Sequence, residues 1–204
     1  MMRRSAQVFF PLLTAALAAT AGPRAVGTAG GSVISSVKAT GLSSNADAVV
    51  YLQQVAGTFA PTTMKMDQRK MQFTPHVLPV VIGTTVRFLN SDPTPHNVFT
   101  PDYEKFNLGT WPQGQTKDHA FAACAKFPCV YTLLCRVHAE MEGFIVVLQN
   151  PYFGVSTKEG RCVIENVPAG QYNVGIWHPK LKGKAQPVTV GATGSATLDF
   201  TLVK

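Results

Sequence analysis

Val130-Tyr131-Thr132-Leu133-Leu134, then Cys135-Arg136-Val137-His138-Ala139-Glu140-Met141, then Gly143-Phe144-Ile145-Val146-Val147-Leu148: two short apolar runs enclose a loop rich in donor side chains. The runs are dense in β-branched and aromatic residues and read as β-strands, with the loop as their connection. Cys135 ends the first strand, which places its sulfur at the rim of a core. His138 and Met141 follow three and six residues on. A turn of this length can wrap all three side chains about a single point. A fourth donor, His96, opens another predicted strand upstream, His96–Thr100, and is followed at once by Asn97.

Two imidazoles, one thiolate and one thioether form the donor set of a trigonal electron-transfer copper site, with Met as the weak axial ligand. Thiolate and thioether are soft and imidazole is borderline, so the set serves both Cu(I) and Cu(II). His96, Cys135, His138 and Met141 are therefore the candidate metal ligands, for one copper ion. The metal-free alternative stays open, since Cys-x2-His alone is a weak signal and a lone Met is commonly core filler. Zinc is disfavoured because it takes more Cys or His and rarely Met. A binuclear copper centre would need a second Cys four residues before Cys135, where Tyr131 stands. The five histidines are His76, His96, His119, His138 and His178. With His96 and His138 committed, too few remain for an oxygen-reducing copper cluster. Neither a nucleophile-elbow sequence nor a paired-carboxylate motif is present, so the chain is not expected to be an enzyme.

Outward from this core, short strands recur at the spacing of a sandwich or barrel: Ser32–Ala39, Ala48–Gln53, His76–Ile82, Thr85–Leu89 and Lys117–Ala122. Gly57–Gln72 reads as a polar excursion and Pro101–Gln115 as a long loop holding Trp111, which covers the core or shields the site. Met64, Met66 and Met71, with His76, form a looser soft-donor group that keeps a second, Cu(I)-type site open. Lys158-Glu159-Gly160 and Asn166-Val167-Pro168-Ala169-Gly170 are turns, and the alternations Tyr172, Val174, Ile176 and Ala196, Leu198, Phe200, Leu202 mark half-buried strands.

The N-terminus reads as an export signal over residues 1–21: Arg3-Arg4, an apolar run from Val8 to Leu17, then Ala19-Thr20-Ala21. The run is too short to span a bilayer, so no membrane span is expected after cleavage. Loss of Arg3 and Arg4 with it lowers the formal charge from +7 to +5. No basic–aromatic interleaving points to nucleic acid. An exported chain meets an oxidising compartment, which favours a Cys124–Cys129 disulfide. Cys162, alone in an alternating strand, reads as a small buried hydrophobe.

Residues 31–149 resemble the cupredoxins, the blue copper proteins such as amicyanin and plastocyanin. His96-Asn97 upstream and Cys135-x2-His138-x2-Met141 downstream have the amicyanin-like spacing, with Ala139 where close relatives carry Pro. The resemblance implies an all-β, Greek-key sandwich with His96, Cys135 and His138 equatorial and Met141 axial. It also implies a structural bond from Asn97 to the Cys135 loop. Residues 150–204 resemble the carboxypeptidase regulatory-like, transthyretin-type sandwiches, through Tyr152-Phe153, Lys158–Gly160 and Asn166–Tyr172. The expected organisation is signal 1–21, linker 22–31, copper-binding domain 32–149 and a second small β-sandwich 150–204. The expected function is single-electron transfer in the periplasm between redox protein partners, a cytochrome or a dehydrogenase. In that expectation His138 is the electron exit, and Phe144 with the apolar residues round the loop forms a docking patch. A periplasmic carrier or resistance protein with copper as cargo is the alternative, and a metal-free interaction module is a third.

Overall fold

The computed structural model describes residues 30–204, so the signal segment 1–21 and most of the linker lie outside the described residues. The described chain is all-β. Its strands are β1 Gly31–Ala39, β2 Val49–Gln53, β3 Thr63–Arg69, β4 Gln72–Thr74, β5 Val77–Val81, β6 Thr85–Asn90, β7 His96–Phe99 and β8 Asn107–Trp111. There follow β9 Thr116–Ala120, β10 Cys129–Leu134, β11 Glu142–Leu148, β12 Phe153–Val155, β13 Arg161–Val167, β14 Gly170–Trp177, β15 Gln186–Val190 and β16 Ser195–Leu202.

These strands form four sheets, ordered β13-β1-β16, β12-β2-β14-β15, β5-β11-β10-β7-β8 and β4-β3-β6-β9. The first two enclose a core of Val33, Val50, Leu52, Ile164, Val174, Phe200 and their neighbours. The last two enclose another, with Met66, Phe88, Trp111, Tyr131, Leu133 and Ile145. A third apolar cluster, Val49, Tyr51, Val77, Phe144, Val146 and Leu148, joins the two sandwiches face to face. Strands in the two middle layers are therefore apolar on both sides. In β11, Ile145 and Val147 face one core while Phe144, Val146 and Leu148 face the seam. Val49-Val50-Tyr51-Leu52 of β2 divides its side chains in the same way. Continuous apolar runs are what a strand covered on both faces requires.

The strand pairing redraws the expected division at 32–149 and 150–204. β1 runs parallel to β16 from Ser32↔Ser195 to Ala39↔Leu202 and antiparallel to β13. β2 pairs with β12 and β14. Residues 31–53 thus belong to the sandwich completed by the C-terminal strands. The sandwich of β3–β11 is inserted between β2 and β12, whose Tyr51 and Phe153 lie opposite each other. Local patterning cannot reveal this, because pairing across such separations leaves no periodic trace.

Two expected loops are strands. In the supposed excursion at 57–72, β3 pairs parallel with β6 and buries Met66 and Gln68 on one face. Its polar residues on the opposite face disguise the alternation. In the supposed loop at 101–115, β8 pairs with β7 and sets Trp111 opposite His96. The Cys124–Cys129 disulfide is present, with Cα atoms 5.6 Å apart. Cys162 is buried in the flanking core, where burial pushes its thiol up to about 11. Gly160 permits the turn before β13: its φ is +90°, and a Cβ there would lie 2.1 Å from the Val37 carbonyl oxygen.

Candidate metal centre

Three of the four expected donors converge. The ligand-capable atoms of His96, Cys135 and His138 lie within 4.8 Å of one another. Among the described residues they are the one such group of His, Cys, Asp or Glu. β7 presents His96 at its first residue, and β10 ends one residue before Cys135. The two strands are antiparallel neighbours through Leu134↔Phe99, so the donors arrive at one end of one sheet. The seven residues from Cys135 to Met141 then turn back into β11, closed by the Met141 N–H donating to the His138 carbonyl at 3.1 Å.

His96 and Cys135 are buried, whereas His138 is half-buried with Val137 beside it 47% exposed. The two imidazoles face each other through Nδ1 atoms 3.1 Å apart. Met141 is buried and packs in the same core cluster as Cys135, Leu133, Val98 and Trp111.

The orientation of His96 is explained by Asp92, four residues before it in the segment leading into β7. Asp92 Oδ2 accepts from His96 Nε2 at 2.9 Å. The same carboxylate accepts the main-chain N–H groups of Lys70 at 2.6 Å and Met71 at 2.8 Å. Burial pushes the Asp92 carboxyl up, but the Met71 and Lys70 N–H groups together with His96 outweigh it and hold Asp92 below the usual carboxylate range. An ionised carboxylate only accepts, so Nε2 of His96 carries the proton and Nδ1 keeps its lone pair for a ligand. The one available signal was a carboxylate four residues before a candidate His, in Asn90-Ser91-Asp92-Pro93-Thr94-Pro95-His96.

Asn97 ties the halves together. Its Oδ1 accepts the Arg136 N–H at 3.3 Å, and its Nδ2 donates to Asn107 Oδ1 at 2.8 Å and the Gly109 carbonyl at 2.7 Å. Its own main-chain N–H donates to Cys135 Sγ at 3.4 Å. The sulfur therefore carries one directed hydrogen bond, a contact that lowers the energy of a thiolate.

The remaining histidines are engaged elsewhere: His76 with Asp47, His119 with Glu104, and His178 as acceptor from the Lys180 N–H. The methionines of β3 and the following turn do not gather. Met66 is fully buried, whereas Met64 is 38% and Met71 57% exposed. The expected docking patch at Phe144 is also corrected. Phe144 is 7% exposed and packs against His76 and Trp177, with ring centroids 5.5 and 5.4 Å away. The flanking sandwich covers it.

No family model and no curated protein matches the chain. Solved structures similar to part of it include a Cu-containing nitrite reductase from Thermus scotoductus SA-01, at 24% identity and TM-score 0.40, covering 49% of this chain and 25% of that one. A purple cupredoxin from Nitrosopumilus maritimus is similar at 23% identity and TM-score 0.37, covering 42% of this chain and 99% of that one. A mutant of amicyanin in its reduced state is similar at 22% identity and TM-score 0.38, over 48% of this chain and 98% of its own. This chain thus spans a quarter of the nitrite reductase. At such TM-scores the likeness carries no weight beside the side-chain geometry.

Proposed function

We propose that the chain is a type 1 copper protein, with one Cu(I)/Cu(II) ion held by His96, Cys135, His138 and Met141, and that it passes single electrons between redox proteins in the periplasm. The observation that carries this reading is the convergence of two imidazole Nδ1 atoms and the Cys135 sulfur at the end of one sheet. The donor chemistry fits copper: one nitrogen freed by Asp92, a second facing it, a hydrogen-bonded thiol, and a buried thioether in the surrounding core.

Copper bound there would supply a one-electron couple. The protein's own part is to hold the donors in one arrangement for both oxidation states. Asp92 fixes the face and tautomer of His96. Asn97 fastens the Cys135 loop to β8, and the loop closes on itself through Met141 N–H. A frame that does not move on electron gain or loss keeps the reorganisation small. The apolar surroundings of Cys135 limit water and guard the thiolate from oxidation. His138, half-buried at the surface, is the proposed exit for the electron, and the small area around Val137 suits a brief redox encounter. No enzymatic step is assigned to the chain.

The cargo reading drew on the methionines near residue 66, and their scattered placement gives it little support. Potentiometry with metal analysis tests the choice. The expected result is one copper per chain, reduced and reoxidised reversibly without loss. Two or more ions per chain, or release of copper to a chelator on each reduction, refutes the shuttle.

A further inference from the structure

Three residues of β11 enter the seam between the sandwiches, Phe144, Val146 and Leu148. The first of them stands three residues beyond Met141, about 10 Å of extended chain. Its ring contacts those of His76 and Trp177, at centroid distances of 5.5 and 5.4 Å. Its main-chain N–H donates to the His76 carbonyl at 2.9 Å. The His76 imidazole is in turn bonded through Nδ1 to Asp47 Oδ2 at 2.8 Å. Asp47, between β1 and β2, and Trp177, the last residue of β14, both belong to the flanking sandwich. That sandwich therefore holds Phe144 twice, directly by the Trp177 ring and by way of His76 through Asp47.

The hold falls where β11 loses a neighbour. On the β10 side its pairing runs on to Glu142 opposite Leu134. On the β5 side pairing begins only at Phe144 opposite Val77, so residues 141–143 have a partner strand on one side alone. Gly143 is gripped from the inner core, since a Cβ there would lie 2.7 Å from Phe73 Cβ. Phe144 takes the opposite side of the pleat and is gripped from the seam. Only Glu142, an exposed residue, separates this double grip from Met141, whose N–H closes the donor loop onto the His138 carbonyl.

We infer that the flanking sandwich is part of the frame of the metal centre: Trp177, acting through Phe144, is a positioning residue for Met141 and so sets the reduction potential. The inference rests on the copper reading proposed above. A close-packed interior transmits a displacement of Phe144 along its strand instead of absorbing it. The axial thioether is one of the levers on the potential of such a site. Cu(I) is satisfied by fewer donors than Cu(II), so a Met141 freed from its grip favours the reduced ion and raises the potential. The Cys135 sulfur keeps its hydrogen bond from the Asn97 N–H, which comes from β7 and lies outside this clamp. Release of Trp177 therefore acts on one donor and leaves the thiolate as it was.

The test uses the full chain and its variants Trp177→Ala and Trp177→Phe. Potentiometry reads the copper-loaded proteins, and NMR of chains labelled at the methionine methyl groups reads the metal-free ones. In Trp177→Ala the ratio of Cu(I) to Cu(II) affinity rises at least about threefold, which is about 28 mV at about 59 mV per tenfold for one electron. Without metal, the Met141 methyl signal of that variant moves, while that of Met66, buried in the same core from β3, stays in place. Trp177→Phe, which keeps an aromatic ring against Phe144, restores both readouts. Should Trp177→Ala not fold, Asp47→Ala decides in its place, with the same two shifts expected. Three results overturn the inference: a potential within that limit of the parent's, a Met66 signal that moves as far as that of Met141, or a Trp177→Phe protein that behaves as the alanine variant. A parent with no thiolate-to-copper band refutes the copper reading instead, and the Met141 signal then still decides whether Trp177 holds the loop.

Discussion

Replacing Asn97 by Ala removes the brace between the two stretches that supply the donors. Three hydrogen bonds go with the side chain: those with the Arg136 N–H, Asn107 Oδ1 and the Gly109 carbonyl. At about 1 kcal/mol net for each, the loss is about 3 kcal/mol at most, less where water reaches the orphaned partners. Arg136, Asn107 and Gly109 are exposed residues, so about 2 kcal/mol is the working figure. For a chain of this size that lowers the melting temperature by about 4–8 °C. The main-chain N–H of residue 97 still reaches Cys135 Sγ, so the thiolate environment persists. Differential scanning calorimetry of the metal-free protein, with a copper titration of the same samples, separates the effects. The expected outcome is a clear fall in melting temperature, weaker copper binding, and a charge-transfer band at nearly its original wavelength. A variant within about 0.5 kcal/mol of the parent, the scatter of ordinary surface substitutions, would refute the claim that Asn97 holds the loop.

Asp92→Asn keeps the shape of the side chain but removes the carboxylate that orients His96. Copper affinity measured by chelator competition should fall by about 10–100-fold, and unchanged affinity would show that His96 needs no such partner. Acidification should loosen the seam between the sandwiches. Burial holds His178 below the ordinary imidazole range, and the hydrogen bond from His76 holds Asp47 below the carboxylate range. In both cases the unfolded chain binds protons first as the pH falls. The His178 contribution is complete above about pH 6.5 and lost as the pH falls through its folded value, whereas the Asp47 contribution is complete above about pH 3.9 and lost below that. His178→Asn, which keeps an acceptor for the Lys180 N–H, should shrink the drop in melting temperature between about pH 7.5 and 5.5; a drop equal to the parent's would refute the assignment.

The part of the candidate site that the structure gathers, His96, Cys135 and His138, was legible in part because two of its members are local. Cys135, His138 and Met141 share one loop between two unmistakable strands, and only His96 had to be brought in from elsewhere. The Cys124–Cys129 bridge was legible for the same reason. What escaped depends on distant pairing. β1 and β2 pair mainly with strands of the last fifty-odd residues, and nothing in Ser32–Ala39 announces β16 as a partner. A clue was present in Val49-Val50-Tyr51-Leu52 and Phe144-Ile145-Val146-Val147-Leu148. Runs without alternation imply cover on both faces, and so imply that Phe144 is not free for docking. β3 was hidden because Lys65 and Asp67 alternate with Met66 and Gln68, which makes a half-buried strand look like a polar loop. Asp92 was hidden because a turn composition explains an Asp before Pro without further purpose.

The account stands or falls on whether Cys135 sulfur binds copper together with His96 and His138. The direct measurement is the visible absorption spectrum of the purified protein after addition of one equivalent of Cu(II), taken beside that of Cys135→Ser. An intense thiolate-to-copper charge-transfer band in the parent, absent from the variant, is the predicted result. A colourless parent that nonetheless holds copper tightly, or a band that survives in Cys135→Ser, would contradict it.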